Sequence, residues 1–161
     1  MIPRSILLSF LFLASCSSPA PKIENLRHPL PDIWSSGQPT QEQFDQLPAM
    51  GIHRVIQLRP ASENGTGWEE ERARTSGIEF VRIPVAGAEG LTRANVDQLA
   101  AALKKPTKGG TLVCCASGNR VGALLALKAR WVDGATAEAA LELGRAAGVT
   151  KLEPKLQELL K

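Results

Sequence analysis

The chain has 161 residues, 43% of them hydrophobic, which suits one modest core, and its formal net charge of +3 gives no strong nucleic-acid footprint. With four Phe, three Trp and no Tyr, the core must rest on Leu, Val, Ile and Ala, and platforms for base stacking are disfavoured. Three cysteines make no disulfide framework and lack zinc-ligand spacing: Cys114 and Cys115 are adjacent, Cys16 is remote, and His28 and His53 lie in unrelated segments.

The first residues carry Arg4 and then an apolar run over residues 6–13, too short to span a bilayer but suited to a secretory signal. Leu13-Ala14-Ser15-Cys16 resembles the lipobox of bacterial lipoproteins, cut before the cysteine and lipidated on it. That resemblance implies a signal peptide over residues 1–15, an anchor and tether over 16–29 with lipidation at Cys16, and a folded domain over 30–161. Ser17 and Ser18 follow without an acidic residue, which in lipoproteins favours the outer membrane, so the expected address is the periplasmic side of a bacterial membrane. The alternative is an ordinary signal peptide cut near Ser15, leaving Cys16 free.

Residues 33–38 predict a first strand, broken at Gly37 and Pro39. Thr40 and Gln43 form a capping box for a helix whose Phe44, Leu47 and Met50 share a face, with Gly51 as its stop. Residues 52–58 read as a second strand ending at Arg59-Pro60, with His53 at its amino end, away from the edge where such sheets bind ligands. Thr66 and Glu69 suggest another capping box, and the acidic run Glu69 to Glu71 reads as a solvated first turn. A third strand follows over 78–83, a loop over 84–91, and a helix capped by Thr92 with Val96, Leu99, Ala100 and Leu103 on its apolar face. Beyond a strand at Leu112 and Val113, helices are expected over 121–131, from Thr136 to Gly148, and from a Thr150–Glu153 box with Leu152 and Leu156 docking it. Strands alternating with helices give an α/β single domain, with a parallel or mixed sheet of four to five strands and helices on both faces.

In that architecture the strand ends bring Gln38, Arg59, the 84–91 loop and residues 114–120 to one rim. The last of these carries the chemistry: a strand delivers a thiol to a short Gly-containing turn, followed by Arg120 and a helix. Successive backbone N–H groups at a helix start form an anion nest, and the helix dipole favours a thiolate or a bound oxyanion there. Arg120 adds a planar fork that can grip two oxygens at once, and such a field lowers a cysteine from about 8.5 toward neutrality. A turn with two buried, inert cysteines is the competing structural account, and a strained vicinal Cys114–Cys115 disulfide would act as a redox event.

Ser36-Gly37-Gln38-Pro39-Thr40, Leu58-Arg59-Pro60, Ile83-Pro84-Val85 and Cys115-Ala116-Ser117-Gly118-Asn119-Arg120, in that order, resemble the bacterial phosphatase-like domain family also found in beta-lactamase-hydrolase-like proteins. It is a branch of the cysteine-dependent tyrosine and dual-specificity phosphatase superfamily, some of whose members are labelled sulfurtransferases. The resemblance implies a Cys115 nucleophile, a phosphate cradle of Ala116, Ser117, Gly118, Asn119 and Arg120, and no metal or cofactor. It also implies a phosphorylated small molecule, lipid or protein as substrate; the proton donor such a reaction needs would be Glu89, the one acidic residue of the 84–91 loop, with a simply solvated loop glutamate as the other reading. The pattern departs at two points. Cys114 stands where the superfamily usually has His, and four residues separate Cys115 from Arg120 where five are usual, a spacing shared with rhodanese-like sulfurtransferases. Counting from Cys114 restores five, so Cys114 stands as the alternative nucleophile, but from Cys115 Gly118 falls at the position where both superfamilies place a glycine. Alternative functions are a sulfurtransferase carrying a Cys115 persulfide and a noncatalytic anion-binding lipoprotein.

Overall fold

The computed structural model describes residues 22–161; the signal segment, the lipobox-like motif and Cys16 lie outside the described residues. Five strands form one sheet in the order β1-β2-β5-β3-β4, with β1 (Arg27–Leu30) antiparallel to β2 (Ile33–Ser36). The other pairings, among β2, β3 (Ile52–Gln57), β4 (Glu79–Arg82) and β5 (Gly110–Cys114), are all parallel. Every residue of β5 is buried, as a central parallel strand covered on both faces should be.

Side-chain alternation along β5 divides the core. Val113 and Cys115 face the larger cluster, built by α3 (Arg93–Lys104), α4 (Asn119–Trp131), α5 (Ala137–Ala146) and α6 (Glu153–Leu159). Leu112 and Cys114 face the smaller one, with Phe44 of α1 (Gln41–Asp45) and Ala73 of α2 (Glu69–Ser76). A strand period of two residues puts the adjacent cysteines on opposite faces of the sheet. The α4–α5 seam requires Gly122: a Cβ there would lie 2.2 Å from the backbone nitrogen of Val149 and 2.5 Å from the carbonyl oxygen of Gly144.

The α/β expectation holds, and four details differ from the sequence reading. The folded unit begins before residue 30: Ile23 is buried in the smaller cluster and β1 joins the sheet, so residues 23–29 are not tether. Pro48 divides the helix expected from Thr40 to Met50 into α1 and a separate 3-10 turn at Pro48–Met50, because proline has no N–H to give back to Phe44. Thr150 does not cap α6 with a side chain; its backbone N–H donates instead to Asn119 Oδ1 at 2.8 Å.

The fourth is Glu69, which is buried rather than solvated, in a helix that starts after Trp68 with no side-chain cap in place of the expected Thr66–Glu69 box. Its carboxylate accepts from Thr66 Oγ1 at 2.5 Å, from the Gly67 N–H at 2.7 Å, and from the side chains of Gln38, Gln57 and Arg82 at 3.0 to 3.1 Å. Burial pushes its pKa up, but the hydrogen bonds from Thr66, the backbone, and Arg82 outweigh that and hold it below the usual carboxylate value. Removing the carboxylate strands several donors at once. Glu69→Ala should therefore cost about 3–5 kcal/mol in a denaturant titration. A loss below about 1 kcal/mol, the size of a surface pair, would contradict this role.

Candidate active site

The chain leaves β5 at Cys114 and turns through residues 115–118 into α4. Gly118 makes the turn possible, since it is the residue before the helix and sits at φ +87°, a left-handed conformation that favours glycine. The end of β2 braces the outer side: the Cys115 N–H donates to the Ser36 carbonyl at 3.3 Å and the Gln38 N–H to the Ala116 carbonyl at 3.3 Å. A Cβ on Gly37 would meet the Ala116 oxygen at 3.0 Å, which accounts for glycine in the Ser36-Gly37-Gln38 motif.

Cys115 is buried, and the Gly118 N–H points at its Sγ from 3.2 Å. Cys115 lines a cavity of about 320 Å³ together with Ala116, Ser117, Asn119, Arg120, Glu63, Gly87 and Leu152. Cys114 lies beneath, on the other face, where burial and the neighbouring Cys115 raise its thiol well above the ordinary value. It is therefore a protonated, enclosed thiol, and both cysteines are free. A larger cavity, about 420 Å³, sits at the amino end of the sheet beside His53 and Glu79, away from either thiol.

Arg120 is held by one edge of its guanidinium. Nη1 donates to Glu63 Oε1 at 2.5 Å and to the Val85 carbonyl at 2.8 Å, while Nη2 donates to Glu63 Oε2 at 2.9 Å. This bidentate grip leaves the Nε edge of the fork for an oxyanion beside Cys115. Hydrogen bonding to Glu63 raises the Arg120 pKa, burial opposes it, and Cys115 adds to the increase. Glu63 in turn is depressed from 4.5 to about 2, first by Arg120, against burial, and then by Arg59. A depressed carboxylate pKa means that the pair is complete above about pH 4.5 and is lost only as pH falls toward 2. Glu63 is thus an ionised clamp near neutral pH.

The predicted rim is assembled. Arg59 donates to Glu63 at 2.8 Å and to Gln38 Oε1 at 3.0 Å, and Gln38 accepts from Gln57 at 3.0 Å. The 84–91 loop reaches the site through the Val85 carbonyl and Gly87. Glu89 is exposed on that loop and is not among the cavity's lining residues. Glu63, which the sequence reading did not single out, joins the two sides of the rim; its only sequence signal is its place four residues after Arg59 in a polar loop.

This sheet, with its thiol-bearing strand end and the arginine at the start of the following helix, belongs to the protein-tyrosine-phosphatase-like hydrolases. Residues 24–157 match the family described as DSP-PTPase phosphatase fused to NAD+ kinase, and the chain belongs to that family. A beta-lactamase hydrolase-like protein of Xylella fastidiosa (strain Temecula1) is 34% identical over 96 residues, covering 57% of this chain and 22% of that one. The chain thus spans about a fifth of the length of that relative. Among solved structures, a protein provisionally described as a phosphatase from Shewanella putrefaciens CN-32 is 26% identical, with a TM-score of 0.70 over 86% of this chain and 90% of that one. The core catalytic domain of the PP-IP phosphatase SIW14 from S. cerevisiae, solved with citrate, shares the fold at 21% identity and a TM-score of 0.62, over 86% and 87% of the two chains.

Proposed function

We propose that the protein hydrolyses a phosphomonoester through a phosphocysteine on Cys115. The observation that carries this reading is the position of Cys115, which lines an open cavity together with Arg120 while the Gly118 N–H is aimed at its sulfur. A lone pair on Sγ attacks phosphorus while the bond to the ester oxygen breaks; the backbone N–H groups of residues 116–120 and Arg120 hold the non-bridging oxygens. Water then attacks the phosphocysteine, and sulfur leaves as thiolate. In the first step the departing alkoxide needs a proton, and in the second the attacking water must lose one.

Glu89 is the proposed carrier of that proton, since Glu63 is committed to Arg120 as an anion. For Glu89 to act, the 87–90 turn must close over the cavity that Gly87 already borders. Glu89→Gln should then depress turnover of alkyl phosphates by about 10²-fold and spare activated aryl phosphates, whose leaving groups need no proton. Equal effects on both substrates would contradict the assignment.

One feature favours a second reaction: the four residues between Cys115 and Arg120, the spacing of rhodanese-like sulfurtransferases. Assaying one preparation with an aryl phosphate and with thiosulfate plus cyanide separates the two. Phosphate release without thiocyanate supports the phosphatase, and thiocyanate alone overturns it.

The proposed address is the periplasmic face of the outer membrane, supported by the Leu13 to Cys16 motif and the serines after it. Intact mass of the membrane fraction should show a lipid on Cys16, and Cys16→Ser should leave the chain unprocessed or released. An unlipidated wild-type amino terminus would contradict the anchor.

A further inference from the structure

The turn that carries Cys115 walls two cavities, and the mechanism above uses only one. The second measures about 250 Å³ and shares Ser117 and Asn119 with the first. Arg27 of β1 lines it, together with Asn25 just before that strand and Gly148, Thr150 and Lys151 from the connection between α5 and α6. Its lining includes no apolar side chain larger than glycine and no carboxylate. Asn119 fixes the two cavities relative to each other: its Oδ1 accepts from the N–H of Thr150, in the second, at 2.8 Å and from the N–H of Leu152, in the first, at 3.2 Å. On the other side the Asn25 amide donates to the Ser117 carbonyl at 3.1 Å. Both braces run between a side chain and the backbone, so the relation between the cavities is built into the fold.

Charge separates them further. In the first cavity Arg120 is matched by Glu63. In the second, Arg27 and Lys151 have no carboxylate and no carbonyl as partner among the described residues, whereas every other arginine there has one or the other. Gly148 keeps its wall clear of the guanidinium: at φ +106° it sits where a Cβ would approach Arg27 Nε to 3.3 Å. Two unmatched cations, with Ser117 on the same wall, suit a dianion with several acceptor oxygens.

We infer that the Arg27–Lys151 cavity receives a second phosphoryl group of the substrate while the first lies against Cys115 and Arg120, so that the preferred substrate class is a small-molecule bisphosphate. The placement of the scissile group rests on the phosphatase reading above. The test uses the full-length protein with alkanediol bisphosphates of increasing length, each beside the alkyl monophosphate of equal length. At the length that bridges the cavities, kcat/KM should favour the bisphosphate by about tenfold or more, and the Arg27→Ala/Lys151→Ala double variant should bring that ratio close to one. No preference at any length, or a double variant that lowers both substrates in proportion, overturns the inference. So does a dependence on the two cations confined to phosphotyrosyl peptides with acidic neighbours.

A binding arm keeps the two readings apart. If the wild-type protein hydrolyses none of these esters, the phosphatase reading fails. Calorimetry on the Cys115→Ser protein still decides the subsite: bisphosphate binding about tenfold tighter than monophosphate, and lost in the double variant, supports it. Equal affinities overturn it.

Discussion

Cys115→Ser is expected to lower phosphomonoester turnover by about 10⁴-fold or more, because a hydroxyl in that place is a far weaker nucleophile and no second thiol among the described residues can replace it. Cys114 cannot substitute. It lies on the opposite face of the sheet, buried in the smaller cluster, with its thiol pushed upward by desolvation. Cys114→Ala should therefore keep turnover within about tenfold of wild type, and its main effect should be on stability, through the small cavity left in the smaller core cluster. Measuring kcat/KM for both variants with one aryl phosphate checks the pair. The reverse pattern would move the nucleophile to the longer spacing from Arg120.

Arg120→Ala is the second large effect, expected at about 10²–10³-fold in kcat, the usual cost of removing a principal donor to a transition-state oxyanion. Arg120→Lys should recover little of it. A lysine carries the charge but cannot take Glu63 along one edge and an oxyanion along the other, and it cannot reach the Val85 carbonyl with the same planar fork. Inorganic phosphate should also lose its competitive inhibition in Arg120→Ala, since the cradle it would occupy is gone. Retained inhibition with unchanged kcat would remove Arg120 from the site.

Much of this was legible in the chain itself. The alternation of apolar strands with capped helices gives the sheet, and Thr40, Thr92 and Thr136 each accept the hydrogen bond their positions predicted. Residues 115–120 declare a thiol, a glycine and an arginine around one turn, and the parallel strands β2 and β3 carry Gln38 and Arg59 to the same rim. What the sequence hides is pairing across space. Glu69 stands first in an acidic triplet that looks solvated, and only the approach of Gln38 from the loop after β2, Gln57 from β3 and Arg82 from β4 makes it a buried hub. Arg54 is similar: it reads as an ordinary polar residue of a strand, yet it is 1% exposed and donates to the carbonyls of Ala102, Lys105 and Pro106 and to Glu79. Glu63 belongs to a loop with no periodicity, so no pattern could place it opposite a residue 57 positions away. The first strand was missed for a related reason. Arg27-His28-Pro29-Leu30 has no apolar alternation, and as an edge strand paired on one side it needs none.

The most direct test of the central claim is to quench the full-length protein in acid during turnover of an aryl phosphate and to map phosphate by peptide mass spectrometry. A phosphoryl group on Cys115, absent in Cys115→Ser and still formed in Cys114→Ala, is the predicted result. Phosphate on Cys114, or full turnover with Cys115 unmodified in the quenched protein and dispensable in the variant, would contradict the account.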